Sequence, residues 1–345
     1  MAISRLKTLA VTMMLCASFV ANAYAEPESV IAPDHRRDVE QTFLTFPEWF
    51  LVHSPAEFAK DIKTHPAHDF PFVSHIGQLW GSYGDVIKEQ VKQDYPGNPG
   101  YHTMIIVIAS STTVEYGIRA IYENSIGRAS WLLSSEKLTA EDKFAAEVAQ
   151  DYVDFIRQEP WYLFNFTDKL KKLWTTVPAT GDDMIRKWER RYALSTEYVI
   201  KAIYGKIIEL ATRAAYDPAL MTTQVQVDHF PDGAHFDKVT LVKRLTDGTA
   251  VLELPRYFDF RIVATELARN DIKLMDIAGN KSVILITAFT NSDHVGLPGR
   301  ELFEQPIITE PGKKRVALII PVQELSEFLV KAPEQNLTVE HVYDY

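Results

Sequence analysis

The expected mature part of this sequence lacks cysteine, and that absence excludes several kinds of site. The chain has 345 residues and one cysteine, Cys16, which lies in an N-terminal stretch that we expect to be removed. Without it the protein forms no disulfide, binds no metal through thiolate and has no cysteine nucleophile. The remaining chain of about 320 residues must be held together by its core, for which that length suffices.

The first 25 residues have the three parts of a secretory signal. Arg5 and Lys7 give a positive start, Leu9 to Val20 is apolar, and Ala23-Tyr24-Ala25 supplies small residues for cleavage. The apolar part is shorter than the about 20 residues that a membrane span needs. We therefore expect residues 1–25 to be a signal peptide and the protein to be periplasmic. The alternative is an uncleaved segment that anchors the chain to the inner membrane.

The chain also lacks a long basic cluster. It has 36 Lys and Arg against 46 Asp and Glu, and removal of two basic signal residues leaves 34 against 46, a net charge of −12. This acidic balance argues against a nucleic-acid partner and against simple adsorption to anionic lipid. No apolar run after the signal reaches membrane-spanning length, so we expect no transmembrane span in the mature chain.

Familiar catalytic motifs are missing as well. We find no Gly-x-Ser-x-Gly, no His-Glu-x-x-His, no phosphate loop and no dinucleotide fingerprint. The favoured hypothesis is therefore a non-catalytic exported protein that binds an apolar or amphipathic ligand or an envelope partner. One alternative is a metal- or carboxylate-dependent periplasmic hydrolase. Another is an assembly protein that docks by strand addition near Leu337 to Tyr343.

The spacing of apolar residues changes once along the chain. Before residue 218 they recur every three to four positions, which predicts helices, and after it they alternate, which predicts strands. The sequence thus predicts an α+β fold: a flexible leader (26–35), a bundle-like helical domain (36–218) and an α+β domain (219–345). The last domain is expected to be a ferredoxin-like sheet with helices on one face, preceded by a β-hairpin. Turn residues predict hairpins across Pro231-Asp232-Gly233, Thr246-Asp247-Gly248 and Gly279-Asn280, and residues 291–312 are predicted to form a loop.

The most apolar helical stretch, Tyr101 to Leu133, also carries a ladder of charges. We predict a core helix buried on most sides, on which Glu115, Arg119 and Glu123 lie one turn apart. Together with Tyr122 they are the candidate ligand-binding residues, because pockets are mostly apolar with a few placed polar groups. Glu48, an acid among aromatic residues, is added to this set as an expected buried carboxylate, with Arg119 or another basic residue as its partner. A simple ladder of paired charges is the alternative.

Histidines supply the candidate metal ligands. His65, His68 and His75 form the densest cluster of imidazoles. A chain without thiolates would bind zinc or copper through histidine and carboxylate. The alternative interpretation of this segment is a polar loop. No cofactor is otherwise expected. The aromatic-rich stretch from Trp161 to Phe166, with lysines nearby, is predicted to be core, and the alternatives are contact with a membrane surface or with a ligand.

Overall fold

The computed structural model describes residues 29–215, 220–291 and 299–344, so the predicted signal peptide lies outside the described residues. It confirms an α+β fold in which a helical half precedes an α+β half. The helices of the first half are α1 (Gln41–Asp61), α2 (Phe72–Lys92), α3 (Pro99–Tyr122), α4 (Arg128–Leu132), α5 (Ala140–Ile156), α6 (Phe166–Thr176) and α7 (Met184–Ala215). A single π-helical turn, Glu123–Gly127, joins α3 to α4.

The second half contains two four-stranded antiparallel sheets. Its elements are β1 (Thr222–Val227), β2 (Thr240–Arg244), β3 (Ala250–Pro255), α8 (Phe258–Arg269), β4 (Leu274–Ile277), β5 (Val283–Thr290), β6 (Arg300–Pro306), β7 (Lys314–Pro321), α9 (Val322–Lys331) and β8 (Thr338–Val342). The strand orders are β2-β3-β1-β4 and β6-β7-β5-β8. β8 thus forms a sheet edge, the position that strand addition requires.

Strand pairing differs from the sequence prediction in three places. The hairpin across Thr246-Asp247-Gly248 is confirmed as β2 and β3, but β3 lies between β1 and β2, which were expected to pair. β4 and β5, predicted as a hairpin, belong to different sheets. β6 lies within the predicted loop 291–312. Alternation indicates a strand and its buried face, but it does not specify the partner strand.

Helix α1 joins the two halves. Phe43 and Phe46 of α1 pack with Leu285, Phe303 and Tyr343 on one face of the second sheet. The opposite face of that sheet shares a core with the first sheet and with α8 and α9. β5 and β7 are therefore buried on both faces, which explains their nearly continuous apolar sequences.

The described part of the predicted leader packs against the second half. Ile31 is buried, and Ser29 donates a 2.5 Å hydrogen bond to Asp276. Arg36 donates to the carbonyl oxygens of Ile31 (2.8 Å) and Ser29 (2.6 Å). These bonds hold residues 29–35 next to β4, so the start of the described chain is anchored to the α+β half.

The prediction that α3 is a core helix buried on most sides is wrong. Its inward face carries Ala109, Thr112, Tyr116 and Ala120, while its large aliphatic side chains are exposed. The same reversal occurs on α7. The helical spacing of Ile203, Ile207 and Leu210 predicts that they face inward, but all three are exposed. Periodicity identifies the residues that share a helix face, but it does not tell whether that face meets the core.

Candidate functional site

Charged side chains hold α3 against α7 in antiparallel orientation. Glu115 forms ion pairs with Arg119 (3.1 Å) and Lys201 (3.2 Å). Glu197 pairs with Arg119 and, at 3.0 Å, with Lys201. The predicted ladder residues Glu115 and Arg119 are therefore brought together, and each has a partner of opposite charge on α7. Whether they also contact a ligand stays a prediction.

The other two ladder residues lie one to two turns further along, at the π-helical turn. Tyr122 donates a 2.9 Å hydrogen bond to Glu189. Glu123 accepts a 2.8 Å bond from Arg190, which also pairs with Glu189. An extra residue in one helical turn re-aims the side chains that follow it, and such turns occur often at functional positions.

Two buried arginines complete this interior network. Arg186 and Arg191 of α7 pair with Asp142 (2.8 Å) and Glu141 (2.7 Å), both in the first turn of α5. A guanidinium stays charged in a protein, so each buried one needs such a carboxylate. Sequence reasoning missed these pairs. The dense charged run from Arg186 to Arg191 was the available signal, since apolar residues such as Ile185 and Trp188 flank and interrupt it.

Glycine at position 127 makes room for the Glu123–Arg190 pair, which yields a first prediction. A Cβ there would lie 2.5 Å from Glu123 Oε2 and 3.3 Å from Arg190 Nη2. We expect Gly127→Ala to lower the free energy of unfolding by about 1–3 kcal/mol through overpacking, measured by urea denaturation. Gly117→Ala is the control, because a Cβ there meets nothing within 4 Å. Equal effects of the two substitutions would contradict the assignment.

The opposite sides of α2, α3 and α7 expose large apolar side chains, and we call this set the outer face. The indole of Trp80 on α2 donates a 2.9 Å hydrogen bond to Thr113 on α3, and Glu115 of α3 pairs with Lys201 of α7, so α3 has both α2 and α7 as neighbours. The outer face comprises Val73, Trp80, Ile87, Val91, Met104, Ile106, Val107, Val114, Ile118, Ile121, Ile126, Met184, Ile185, Trp188, Tyr192, Val199, Ile200, Ile203, Tyr204, Ile207 and Leu210. Single exposed apolar residues are normal on a protein surface, but so many on neighbouring helices indicate an interaction surface.

The parts of the outer face on α3 and α7 are free of formal charge over a long distance. Exposed positions from Thr103 to Ile126 are all apolar or small and polar, a length of about 36 Å at 1.5 Å per residue. Exposed positions from Met184 to Tyr204 are likewise uncharged, over about 30 Å. Glu115, at the margin, is 43% exposed but paired. By length and composition the stretch Pro99–Leu132 would suffice to cross a membrane, and 22% of its most apolar window is buried.

The three predicted metal ligands make separate contacts. His65 is exposed and pairs with Asp61 at 3.0 Å. His68 packs its ring against Trp131. His75 is fully buried and shares a 2.9 Å hydrogen bond with Ser54. Within the described residues no group of three or more histidine, cysteine or acidic side chains is arranged to hold a metal ion.

Glu48 does not occupy the buried position that the sequence suggested. It is exposed on α1 and accepts a 3.0 Å hydrogen bond from Tyr101, whereas Arg119 pairs with Glu115 and Glu197. The neighbouring aromatic residues Phe46 and Trp49 are buried. Glu48 lies between them in sequence but on the opposite side of the helix.

A second buried polar cluster, missed from the sequence, links α1 to α2 and the second sheet. Ser54 lies 2.9 Å from His75 Nδ1, and His75 Nε2 lies 3.6 Å from Glu57. Arg315 pairs with both Glu57 (2.9 Å) and Glu340 (2.6 Å). Ser54, His75 and Glu57 resemble a hydrolytic triad in composition. All three are buried, so we interpret the cluster as one that stabilises the fold. Glu340 is far from these residues in sequence, so no local pattern predicts the cluster.

The outer face over a charged interior is therefore the candidate functional site. Its inner side is held by ion pairs within the chain, and its outer side is chemically suited only to an apolar partner. Known protein families, curated proteins and solved structures give no match to this chain, so its function is inferred from these residues alone.

Proposed function

We propose that this protein is a non-catalytic envelope protein that lies on a membrane and inserts its outer face among lipid acyl chains. The observation that carries the proposal is the reversed polarity of α3 and α7, with paired charges inside and aliphatic side chains outside. In water such a face is unfavourable, since each exposed Ile or Leu forgoes about 1.5–3 kcal/mol of burial.

One-sided insertion fits the packing of these helices better than spanning. The inner faces of α3 and α7 contact α1 and α5 through Tyr116, Arg186 and Arg191, so lipid reaches only the outer side of the layer. An amphipathic layer with one free apolar side lies within a single leaflet. Apolar insertion does not depend on a basic surface, so the acidic net charge is compatible with it.

The charge-free stretches of the outer face favour lipid over a second protein as the partner that covers it. Protein interfaces set their register with placed charges and a polar rim. The exposed positions from Thr103 to Ile126 and from Met184 to Tyr204 offer no charge for that purpose. A bilayer needs no register, so acyl chains can cover a surface that carries no charge.

Vesicle flotation with the mature chain tests this proposal. We expect the protein to float with phosphatidylcholine vesicles at low and high salt alike, because insertion is apolar. Ile118→Asp should lower the partition coefficient by about ten- to a hundredfold, the loss of one buried aliphatic side chain. Ile262→Asp is the matched control, since Ile262 is exposed on α8, away from the outer face, and it should bind like the unmodified protein.

Two outcomes would overturn the proposal. One is failure of the unmodified protein to float with any vesicle. The other is a stable dimer by light scattering that Ile118→Asp converts to a monomer, because the outer face would then be covered by a second copy.

A further inference from the structure

A cavity of about 310 Å³ opens at the margin of the outer face. It lies between the start of α2 and the π-helical turn after α3, and its walls include His68, Val73, Ser74, Asn124 and Arg128. Val73 belongs both to this cavity and to the outer face. A molecule in the cavity therefore has direct access to the apolar surface.

The first turn of α2 presents free donors to this cavity. α2 has 21 residues, and its N-cap position is Pro71, which provides no side-chain cap. The backbone N–H groups of Val73 and Ser74 belong to the first turn, whose donors have no intrahelical partner. The hydroxyl of Ser74 lies beside them. Helix N-termini of this kind attract anions through these donors and through the helix dipole.

Arg128 supplies a full positive charge at the same place. It is exposed at the start of α4, and among the described residues it forms no ion pair. The other arginines near this turn, Arg186 and Arg190, are buried in pairs with carboxylates. Arg128 is therefore available to an external anion, to which a guanidinium binds with charge-assisted hydrogen bonds.

His68 gives an independent indication of a binding site. Its side chain is 7% exposed, it lines the cavity, and its Nδ1 has no hydrogen-bond partner. A buried polar atom without a partner is costly and calls for an explanation. Burial lowers the pKa of His68, Asp69 opposes that shift, and Arg128 adds to it. The neutral ring can carry its proton on Nδ1 and donate it to a ligand oxygen.

We propose that this cavity binds the phosphate group of a phospholipid whose acyl chains lie on the outer face, an inference that rests on the proposed function. Val73 and Ser74 N–H groups, the Arg128 guanidinium and His68 Nδ1 surround the phosphate oxygens. Asp69 also lines the cavity, 3.7 Å from His68 Nε2, and its carboxylate would repel a bare anion. It is placed for the ammonium group of an ethanolamine headgroup.

Two bilayers, one with phosphate in its headgroups and one without, test the lipid source. We compare flotation with vesicles of phosphatidylethanolamine and phosphatidylcholine and with vesicles of digalactosyldiacylglycerol, which lacks phosphate. Arg128→Ala should weaken binding to the phospholipid vesicles about tenfold, the loss of charge-assisted bonds, and leave binding to the galactolipid unchanged. Lys92→Ala is the control, because it removes one exposed charge from the other end of α2. An equal loss in both bilayers, or none in either, overturns the proposal.

A solution measurement separates the cavity from the membrane. The ring nitrogens of His68 are followed by NMR while glycerophosphoethanolamine or inorganic phosphate is added to the mature protein. We expect glycerophosphoethanolamine to shift His68 Nδ1 in the unmodified protein and not in Arg128→Ala. The NMR shift tests the cavity even if the protein binds no vesicle. Failure to bind vesicles would refute only the proposed function. A response to inorganic phosphate alone, with Arg128→Ala still binding phospholipid normally, would reject the lipid as its source.

Discussion

Replacement of Arg315 by methionine is expected to lower the free energy of unfolding by about 3–5 kcal/mol. The guanidinium is 1% exposed and donates to Glu57 (2.9 Å) and to both oxygens of Glu340 (2.8 and 2.6 Å). Methionine fills a similar volume but leaves two buried carboxylates without a cation and close to each other. Burying a charge without a partner is among the largest single costs in a protein.

Equilibrium denaturation by urea, followed by circular dichroism, measures this effect. Lys331→Met serves as the control, because Lys331 is an exposed lysine whose ion pair with Glu327 lies on the surface; it should change stability by less than about 1 kcal/mol. Glu57→Gln combined with Arg315→Met should recover part of the loss by removing one of the stranded charges. A loss below about 1 kcal/mol for Arg315→Met alone would mean that the cluster is hydrated.

The same cluster shows which part of the fold the sequence could predict. The change of apolar period near residue 218 located the helical half and the strands correctly, because period depends only on local geometry. Glu57 and Arg315, however, are 258 residues apart. No spacing rule relates side chains at that distance, so the polar cluster that joins the two halves could not be predicted.

The sequence prediction exchanged the buried and exposed faces of α7, for a different physical reason. Ile203 and Ile207 share one face, and Arg186 and Arg190 share another, and both facts follow from helical spacing. A periodic pattern is unchanged when the helix is turned over. In water the apolar face belongs inside, and that assumption placed it wrongly. The number of arginines on the other face was the one available warning, since a buried arginine needs a carboxylate that the sequence cannot place.

The charge ladder is an intermediate case. The sequence placed Glu115, Arg119 and Glu123 on one side of α3, and the structure brings all three against α7. Their partners, such as Glu197 and Arg190, come from a helix about seventy positions later and had not been assigned. The ladder was therefore located correctly while the surface that makes the site distinctive, on the reverse of the same helix, was missed.

His75 is expected to make the free energy of unfolding depend on pH between about 4 and 6.5, a range in which Asp344 has the opposite effect. Burial, with a smaller effect of the nearby Arg315 charge, lowers the pKa of His75 from 6.5 to about 4. Its neutral form therefore stabilises the folded state fully above pH 6.5, and this stability is lost as pH falls to 4. The loss is about 1.4 kcal/mol per pH unit, or about 3 kcal/mol in all. Ser54 and Glu57 are its polar neighbours, and Ser54 is also hydrogen-bonded to Tyr116.

Asp344 acts in the opposite direction over almost the same range. Burial raises the pKa of this carboxyl to about 7, so the folded state takes up a proton below pH 7 and becomes relatively more stable as pH falls toward 4. The two slopes are similar in size and opposite in sign, and the unmodified protein will show little of either.

Variants separate the two contributions. When pH is lowered from 7 to 4, the free energy of unfolding of His75→Asn should rise by about 3 kcal/mol relative to that of the unmodified protein. The asparagine keeps a hydrogen-bond partner for Ser54. For Asp344→Asn the free energy of unfolding should fall by a comparable amount over the same range. Urea denaturation at half-unit pH steps measures both differences, and His65→Gln, on the surface, provides the comparison. If the stability of His75→Asn runs parallel to that of the unmodified protein over this range, then His75 is protonated in the folded state and Glu57, 3.6 Å from its Nε2, stabilises the charge.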